Sequence, residues 1–196
     1  MRTRSRLLAA GVVAVLCVTG LAGPANAGAG QQVLRGSSVA SYQGRMIDLS
    51  KSWEDAQVCA VLSRNDVRCY ASTDEAAAAL AGEAAKASSA RGSDEPVSPM
   101  STWHGCPDDW LCVYEHTNWG GRRLQFNDEQ WHWLGDYGFV DQTSSWTNNQ
   151  GGGLLGCSGS DWGALGNGAG DNRNLEDCAA SSSLGSYDNQ TEHVHG

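Results

Sequence analysis

After its first 27 residues the chain has no apolar run long enough to cross the ~30 Å of a bilayer's hydrocarbon, so no membrane span is expected. It is also short of positive charge, with 13 Lys and Arg against 22 Asp and Glu and a formal net charge of −9. No basic stripe offsets that acidity, which excludes a nucleic-acid backbone as partner. The Gly-x-Ser-x-Gly elbow and the His-Glu-x-x-His helix are both missing. Glu115, Asp128 and Glu129 have no second motif that would make two of them a glycosidase pair. No enzyme is expected.

Residues 1–27 read as an export signal. Arg2, Arg4 and Arg6 precede an apolar stretch from Leu7 to Leu21, and Ala25-Asn26-Ala27 supplies a small-x-small cleavage site. The mature chain is expected to begin at Gly28 and to be secreted. Losing the leader leaves 10 basic residues against 22 acidic, 10 − 22 = −12. Six cysteines then remain: Cys59, Cys69, Cys106, Cys112, Cys157 and Cys178. An even number in an exported chain argues for three disulfides, and the spacing suggests that neighbours pair, with fifteen connectivities open.

Residues 28–44 are rich in Gln, Ser, Gly and Ala and read as a flexible lead-in. Residues 45–90 form a small unit. RMIDL suggests a strand with Met46 and Ile47 turned inward, and residues 52–55 a single helical turn. QVCAVLSRNDVRCYAS gives two β-prone runs around Arg64-Asn65-Asp66. That places Cys59 opposite Cys69, within reach of a cross-strand bridge. Ser72-Thr73-Asp74-Glu75 is a capping box for an alanine-rich helix over 76–90, whose sparse polar face makes it doubtful as an isolated helix. A unit this small cannot build a large core, and its expected role is structural filler. Residues 91–102 read as a linker broken by Pro96 and Pro99, with a separate β domain at 103–196.

That domain is organised around residues 112–150. Tyr114 is followed five residues later by Trp119 and then by Gly121. Val113 and Tyr114 begin a strand, Asn118-Trp119-Gly120-Gly121 turns sharply, and residues 124–126 run back with period two. The paired glycines would supply positive φ at the fold-over. Asp141-Gln142-Thr143-Ser144-Ser145-Trp146 then runs into another strand. Upstream, Cys106 and Cys112 close a very short loop. Residues 151–153 suggest a crossover and Leu154-Leu155 a strand. Asp161-Trp162-Gly163 resembles a second aromatic-glycine bend, and Cys178 can return to Cys157. Residues 140–146 align without gaps to residues 188–194, the position a duplication predicts. Two such units would pack as facing four-stranded sheets.

The hairpin followed by a serine latch resembles a βγ-crystallin Greek key. CPDDWLCVYEHTNWGG with DYGFVDQTSSWTNNQ resembles the secreted actinobacterial peptidase inhibitor family of βγ-crystallin-like fold, whose type member inhibits metalloproteinases. The resemblance implies a mainly β, double Greek-key sandwich with Tyr114, Trp119, Gly121, Asp141, Ser144 and Ser145 as its signature. It also implies a monomeric inhibitor whose partner is an extracellular metalloproteinase. Two regions are candidate protease contacts. Asp108 and Asp109, in the small disulfide loop, can offer carboxylate oxygens to a zinc ion. Trp131 and Trp133 alternate around His132 and can project from one face, with Tyr137 nearby. The rival readings are a solvated acidic turn and a core tryptophan pair.

No cofactor is expected. The pattern of calcium-binding βγ-crystallins, Asn/Asp-Asn/Asp-x-x-Ser/Thr-Ser, is broken at Val140 and again at Glu192 and His193. Asp141 with Ser144, and Asp188 with Asn189, keep half a site each, so calcium is expected to bind weakly or not at all. His193 and His195 read as tail residues in solvent. Seven of the 8 tryptophans fall from Trp103 onward, which leaves a carbohydrate- or cell-wall-binding module as one alternative. A purely structural βγ-crystallin-like protein is the other.

Overall fold

The computed structural model describes residues 38–90, 102–150 and 163–196. Among the described residues the chain is mainly β, with one α-helix. In the C-terminal part, β7 (Leu111–Tyr114), β8 (Arg123–Phe126), β9 (Trp131–Trp133) and β10 (Ser145–Asn148) form a first unit. A second unit comprises β11 (Gly163–Gly166), β12 (Asn172–Leu175), β13 (Ala179–Ser181) and β14 (His193–His195). In each unit the fourth strand returns to lie beside the first, β10 on β7 and β14 on β11, which is a Greek-key path. The third strands are exchanged: β9 pairs with β14, and β13 with β10.

The N-terminal residues join this sandwich and do not stand apart from it. Strand β1 (Val39–Tyr42), β2 (Arg45–Asp48), β3 (Val58–Ser63) and β4 (Asp66–Tyr70) extend the first sheet to eight strands, in the order β13-β10-β7-β8-β3-β4-β1-β2. The junction is a parallel pairing of β3 with β8, from Val58 opposite Arg123 to Val61 opposite Phe126. The second sheet runs β12-β11-β14-β9. Period-two alternation gives the larger sheet two covered faces. Cys59, Val61, Val113, Leu124, Phe126 and Trp146 point at the second sheet, where they meet Leu165, Leu175 and Val194. Val58, Ala60, Cys112 and Tyr114 point the other way, beneath α1 (Thr73–Ala90) and the disulfide loop.

Several expectations for the N-terminal residues are corrected here. Val39–Tyr42 is a strand with Ala40 and Tyr42 buried, where a flexible lead-in was expected. Met46 is 65% exposed and Ile47 5%, because register places Ile47 opposite the buried Ala40. Residues 52–55 make a turn with Glu54 at φ 56 and no helix. That turn inserts Trp53 between the two halves, its Nε1 donating to the Tyr137 carbonyl at 2.6 Å and its ring 5.6 Å from that of Phe139. Gly138, at φ 60, admits the Leu49 backbone, whose carbonyl any Cβ there would meet. The segment expected to be filler therefore carries half of the main sheet.

The helix is held from its start. Ser72 Oγ accepts from the Glu75 N–H at 3.1 Å, and Glu75 Oε2 accepts from the Ala71 N–H at 2.9 Å, a cap of about 1 kcal/mol. Ala76 and Leu80 are buried against Val58, Ala60 and Tyr70. Helix and sheet share that apolar face, so tertiary packing supplies the stability that an alanine-rich segment lacks alone.

Two turns also differ from expectation. At the first fold-over Gly121 has φ 73, but Gly120 does not share it, and Asn118 and Trp119 take φ 55 and 59 instead. In the second unit the bend is not at Gly163, which opens β11. It falls at residues 167–171, where Asn167 Oδ1 accepts from the Ala169 and Asp171 N–H groups and Gly168 and Gly170 have positive φ. The proposed crossover, the Leu154-Leu155 strand, Cys157 and Asp161-Trp162 lie outside the described residues. Cys59 is bonded to Cys69, and Cys106 to Cys112. Cys178 is also disulfide-bonded.

Deleting residues 38–90 strips β8 of its neighbour and uncovers the sheet face under α1. Oxidised 102–196 is expected to bind a hydrophobic dye and to melt without a sharp transition, while 38–196 melts cooperatively. A truncated form melting within about 3 °C of the longer one, a difference worth roughly 1 kcal/mol, would contradict this.

Candidate functional site

The small disulfide loop and the strand hairpin before it form the most heavily braced surface feature. Strands β5 (Thr102–Trp103) and β6 (Cys106–Pro107) are joined by His104 and Gly105, at φ 52 and 79. Two successive positive φ values are the signature of the two-residue hairpin turn that matches strand twist. The turn is gripped at each residue. Tyr114 Oη donates to the His104 carbonyl at 3.0 Å, and the Arg123 guanidinium donates to the Gly105 carbonyl. The His104 ring stacks on Trp119, with centroids 3.4 Å apart and planes 5° from parallel.

Trp119 is itself fixed by the serine latch. Ser145 Oγ donates to the His116 carbonyl at 2.6 Å and accepts the Trp119 N–H at 3.1 Å. Trp119 Nε1 donates to the Trp146 carbonyl at 3.3 Å. Ser144 uses its backbone, donating to the Tyr114 carbonyl and accepting from Leu184. Sequence alone pointed to both serines, but the stack of His104 on Trp119 carries no signal in the sequence.

Beyond the hairpin, Cys106–Cys112 closes the loop over the buried Trp110. Asn149 ties it from the far side. Its carbonyl accepts from the Asp109 N–H at 2.9 Å and its N–H donates to the Trp110 carbonyl at 2.9 Å. Its Nδ2 donates to the Cys106 carbonyl at 3.0 Å and to Asp108 Oδ1 at 3.1 Å. The two aspartates therefore differ. Asp108 is half-buried and engaged, whereas Asp109 is exposed at the tip with φ 66.

Residues 100–181 match the family model described as peptidase inhibitor family I36. Over those residues the chain is similar to that peptidase inhibitor family. No curated protein and no solved structure matched it. The matched segment contains the braced loop, the first Greek key and β11 to β13. It excludes β1 to β4, α1 and the second latch.

The second candidate region is placed differently from expectation. Trp131 and Trp133 share the outer face of β9, an edge strand, and Trp131 is 37% exposed. Trp131 meets His195 edge to face at 5.4 Å, and the Trp133 ring covers Gly135. Tyr137 is buried. Alternation turns His132 inward, where Nδ1 bonds Tyr137 Oη at 2.8 Å and Nε2 bonds Asp128 Oδ1 at 2.7 Å. Burial, with the Asp136 and Asp128 carboxylates, pushes the Tyr137 phenol upward from its ordinary range. Arg64, from the β3–β4 hairpin, donates to Gln130 Oε1 at 3.1 Å and to the Trp131 carbonyl at 2.8 Å. His193 and His195 belong to β14 and are partly or largely buried, so they are not solvated tail residues. The loop lies on the outer face of the larger sheet and the tryptophans on that of the smaller. One interface cannot be centred on both.

The two latches meet at the junction of the repeats. The Asp141 N–H donates to the Thr191 carbonyl at 2.9 Å, and the Asn189 N–H to the Thr143 carbonyl at 3.1 Å. Asp141 and Asn189 have φ 55 and 54, so the aligned residues occupy equivalent conformations. The structure adds a repeat not identified above: Leu134-Gly135-Asp136-Tyr137 and Leu184-Gly185-Ser186-Tyr187 both form tight turns ahead of their latches. Asp188 Oδ2 accepts from Asn189 Nδ2 at 3.4 Å. Among the described residues no group of three or more His, Cys, Asp or Glu is placed to hold a metal ion.

Desolvation lowers the His104 pKa below 6.5. The unfolded chain then binds the extra proton first, so this contribution is complete above pH 6.5 and declines as pH falls from there through the folded-state value. Protonated imidazole quenches a stacked indole. The fluorescence difference between the parent protein and His104→Gln is therefore expected to titrate with a midpoint below 6.5. A midpoint at or above that value would contradict the stacked arrangement.

Proposed function

We propose that this peptidase inhibitor is exported through its N-terminal leader and acts as a monomer on an extracellular metalloproteinase. The family match over residues 100–181 carries the inhibitor reading. The geometry of the disulfide loop supports the choice of contact, because an inhibitor must enter a cleft without deforming into a substrate. A disulfide, a buried tryptophan and the Asn149 bonds hold the loop before it docks, so little conformational entropy is lost on binding. Interfaces of this kind bury about 800 Å² per partner around a few anchors. Asp109 is the exposed carboxylate at the tip, and carboxylate oxygen is a competent zinc ligand. Asp108, bonded to Asn149, positions the loop.

The carbohydrate-binding alternative has less support. Trp53, Trp110 and Trp146 are buried, and Trp131 is the one tryptophan among the exposed large apolar side chains of the described residues. A stacking platform needs more than one such ring.

Asp109→Asn keeps the shape and tolerates positive φ while removing the charge. Titration of the oxidised secreted protein against thermolysin-like, serine and cysteine proteases is expected to show inhibition of the first class. The Asn variant should raise the inhibition constant by about tenfold or more, as loss of a charge-assisted contact implies, with unchanged melting temperature. Undiminished inhibition by Asp109→Asn removes the loop from the interface, and inhibition confined to another class overturns the metalloproteinase assignment.

A further inference from the structure

Arg123 is 2% exposed, yet it forms no ion pair with a carboxylate among the described residues. Its charge is met by the Gly105 carbonyl and the Tyr114 hydroxyl, and its Nε has no partner. Two positions along β8, Gln125 is 0% exposed, and neither end of its carboxamide has a partner among the described residues. Thr147 on β10 is 0% exposed, with its hydroxyl beside that of Tyr114. These residues share one face of the sheet. Arg123 lies between Tyr114 and Val58, Gln125 lies between Cys112 and Ala60, and Thr147 is on the far side of Cys112. Tyr114 connects them, since its hydroxyl interacts with both Arg123 and Thr147. The apolar residues around them are Val58, Ala60, Cys106, Cys112, Ala76 and Leu80.

A guanidinium sealed in apolar surroundings without a counter-charge is costly, and nearly all buried polar groups find partners. Here the orphaned groups are a guanidinium N–H and a carboxamide that can donate twice. Both can donate hydrogen bonds around a single excess positive charge, with the Thr147 hydroxyl beside them. The geometry points to an internal binding site for one small monovalent anion of halide type, held by Arg123, Gln125 and Thr147 beneath α1 and the disulfide hairpin. One negative charge balances one guanidinium, and the near-complete burial selects a bare, compact ion over a bulky oxyanion. The net charge of −9 disfavours anions elsewhere on the molecule, so an anion effect would report this site. Because Arg123 also holds the Gly105 carbonyl, occupancy would stiffen the hairpin that leads into the Asp109 loop.

The test uses the full mature chain, oxidised, melted in sodium chloride or sodium gluconate at equal ionic strength. Chloride at about a hundred times its dissociation constant is expected to raise the melting temperature by roughly 5 °C or more over gluconate. Arg123→Met, apolar and of related shape, should abolish that difference. In parallel, crystals of the parent protein grown in bromide should show an anomalous peak within hydrogen-bonding reach of Arg123 Nε. Equal melting in both salts, or a chloride response that survives Arg123→Met, overturns the site. So does water in place of bromide beside Arg123. Should the variant fail to fold, the bromide peak in the parent protein decides alone.

Discussion

The parallel pairing of β3 with β8 is the constraint on which the rest of the architecture depends. In the matched inhibitor segment β8 is the second strand of its Greek key, and without β3 its outer edge would present unpaired N–H and C=O groups. Open edges recruit other chains, and proteins cover or distort them. Here the cover is the protein's own N-terminal residues, in register with β8 over four consecutive pairs. Once β3 is docked, its hairpin partner β4 and then β1 and β2 continue the sheet. Helix α1 closes the face that β3 and β8 share.

That arrangement gives the N-terminal residues several handles on the inhibitor segment. Trp53 bonds the Tyr137 carbonyl, and Arg122 lies over the rings of Trp53 and Phe139. Arg122 also pairs with Glu115 at 2.9 Å, holding that carboxyl below its ordinary range. Arg64 reaches the end of β9. Through the sheet, α1 and the disulfide hairpin pack on one apolar cluster. Each such tie removes a way for the disulfide loop to relax into an extended chain.

What the sequence disclosed was local. The hairpin latch at Ser145, the cap at Ser72 and the cross-strand position of Cys59 and Cys69 each depend on spacings of ten residues or on a motif with a known turn. The β3–β8 pairing spans more than sixty residues, and a parallel register leaves no local trace. Strand β1 did leave one, since Gln43-Gly44 joins two short β-prone runs and both residues have positive φ, but its polar composition concealed it. Arg123 and Gln125 illustrate the opposite failure. In RLQF they alternate with apolar residues as a solvent-facing pair would, and only the helix and hairpin packed above them turn that face into interior. The Leu-Gly-x-Tyr repeat was present in the sequence, but a two-residue difference in spacing to each latch separated it from the ungapped alignment.

Native-state hydrogen exchange of the oxidised protein tests the shared sheet most directly. The account predicts that amides of residues 58–61 and 123–126 fall in the same slowest class and become exposed in one common opening. Residues 58–61 exchanging as freely as surface turns, with 123–126 still protected, would show two bodies that merely touch and would contradict it.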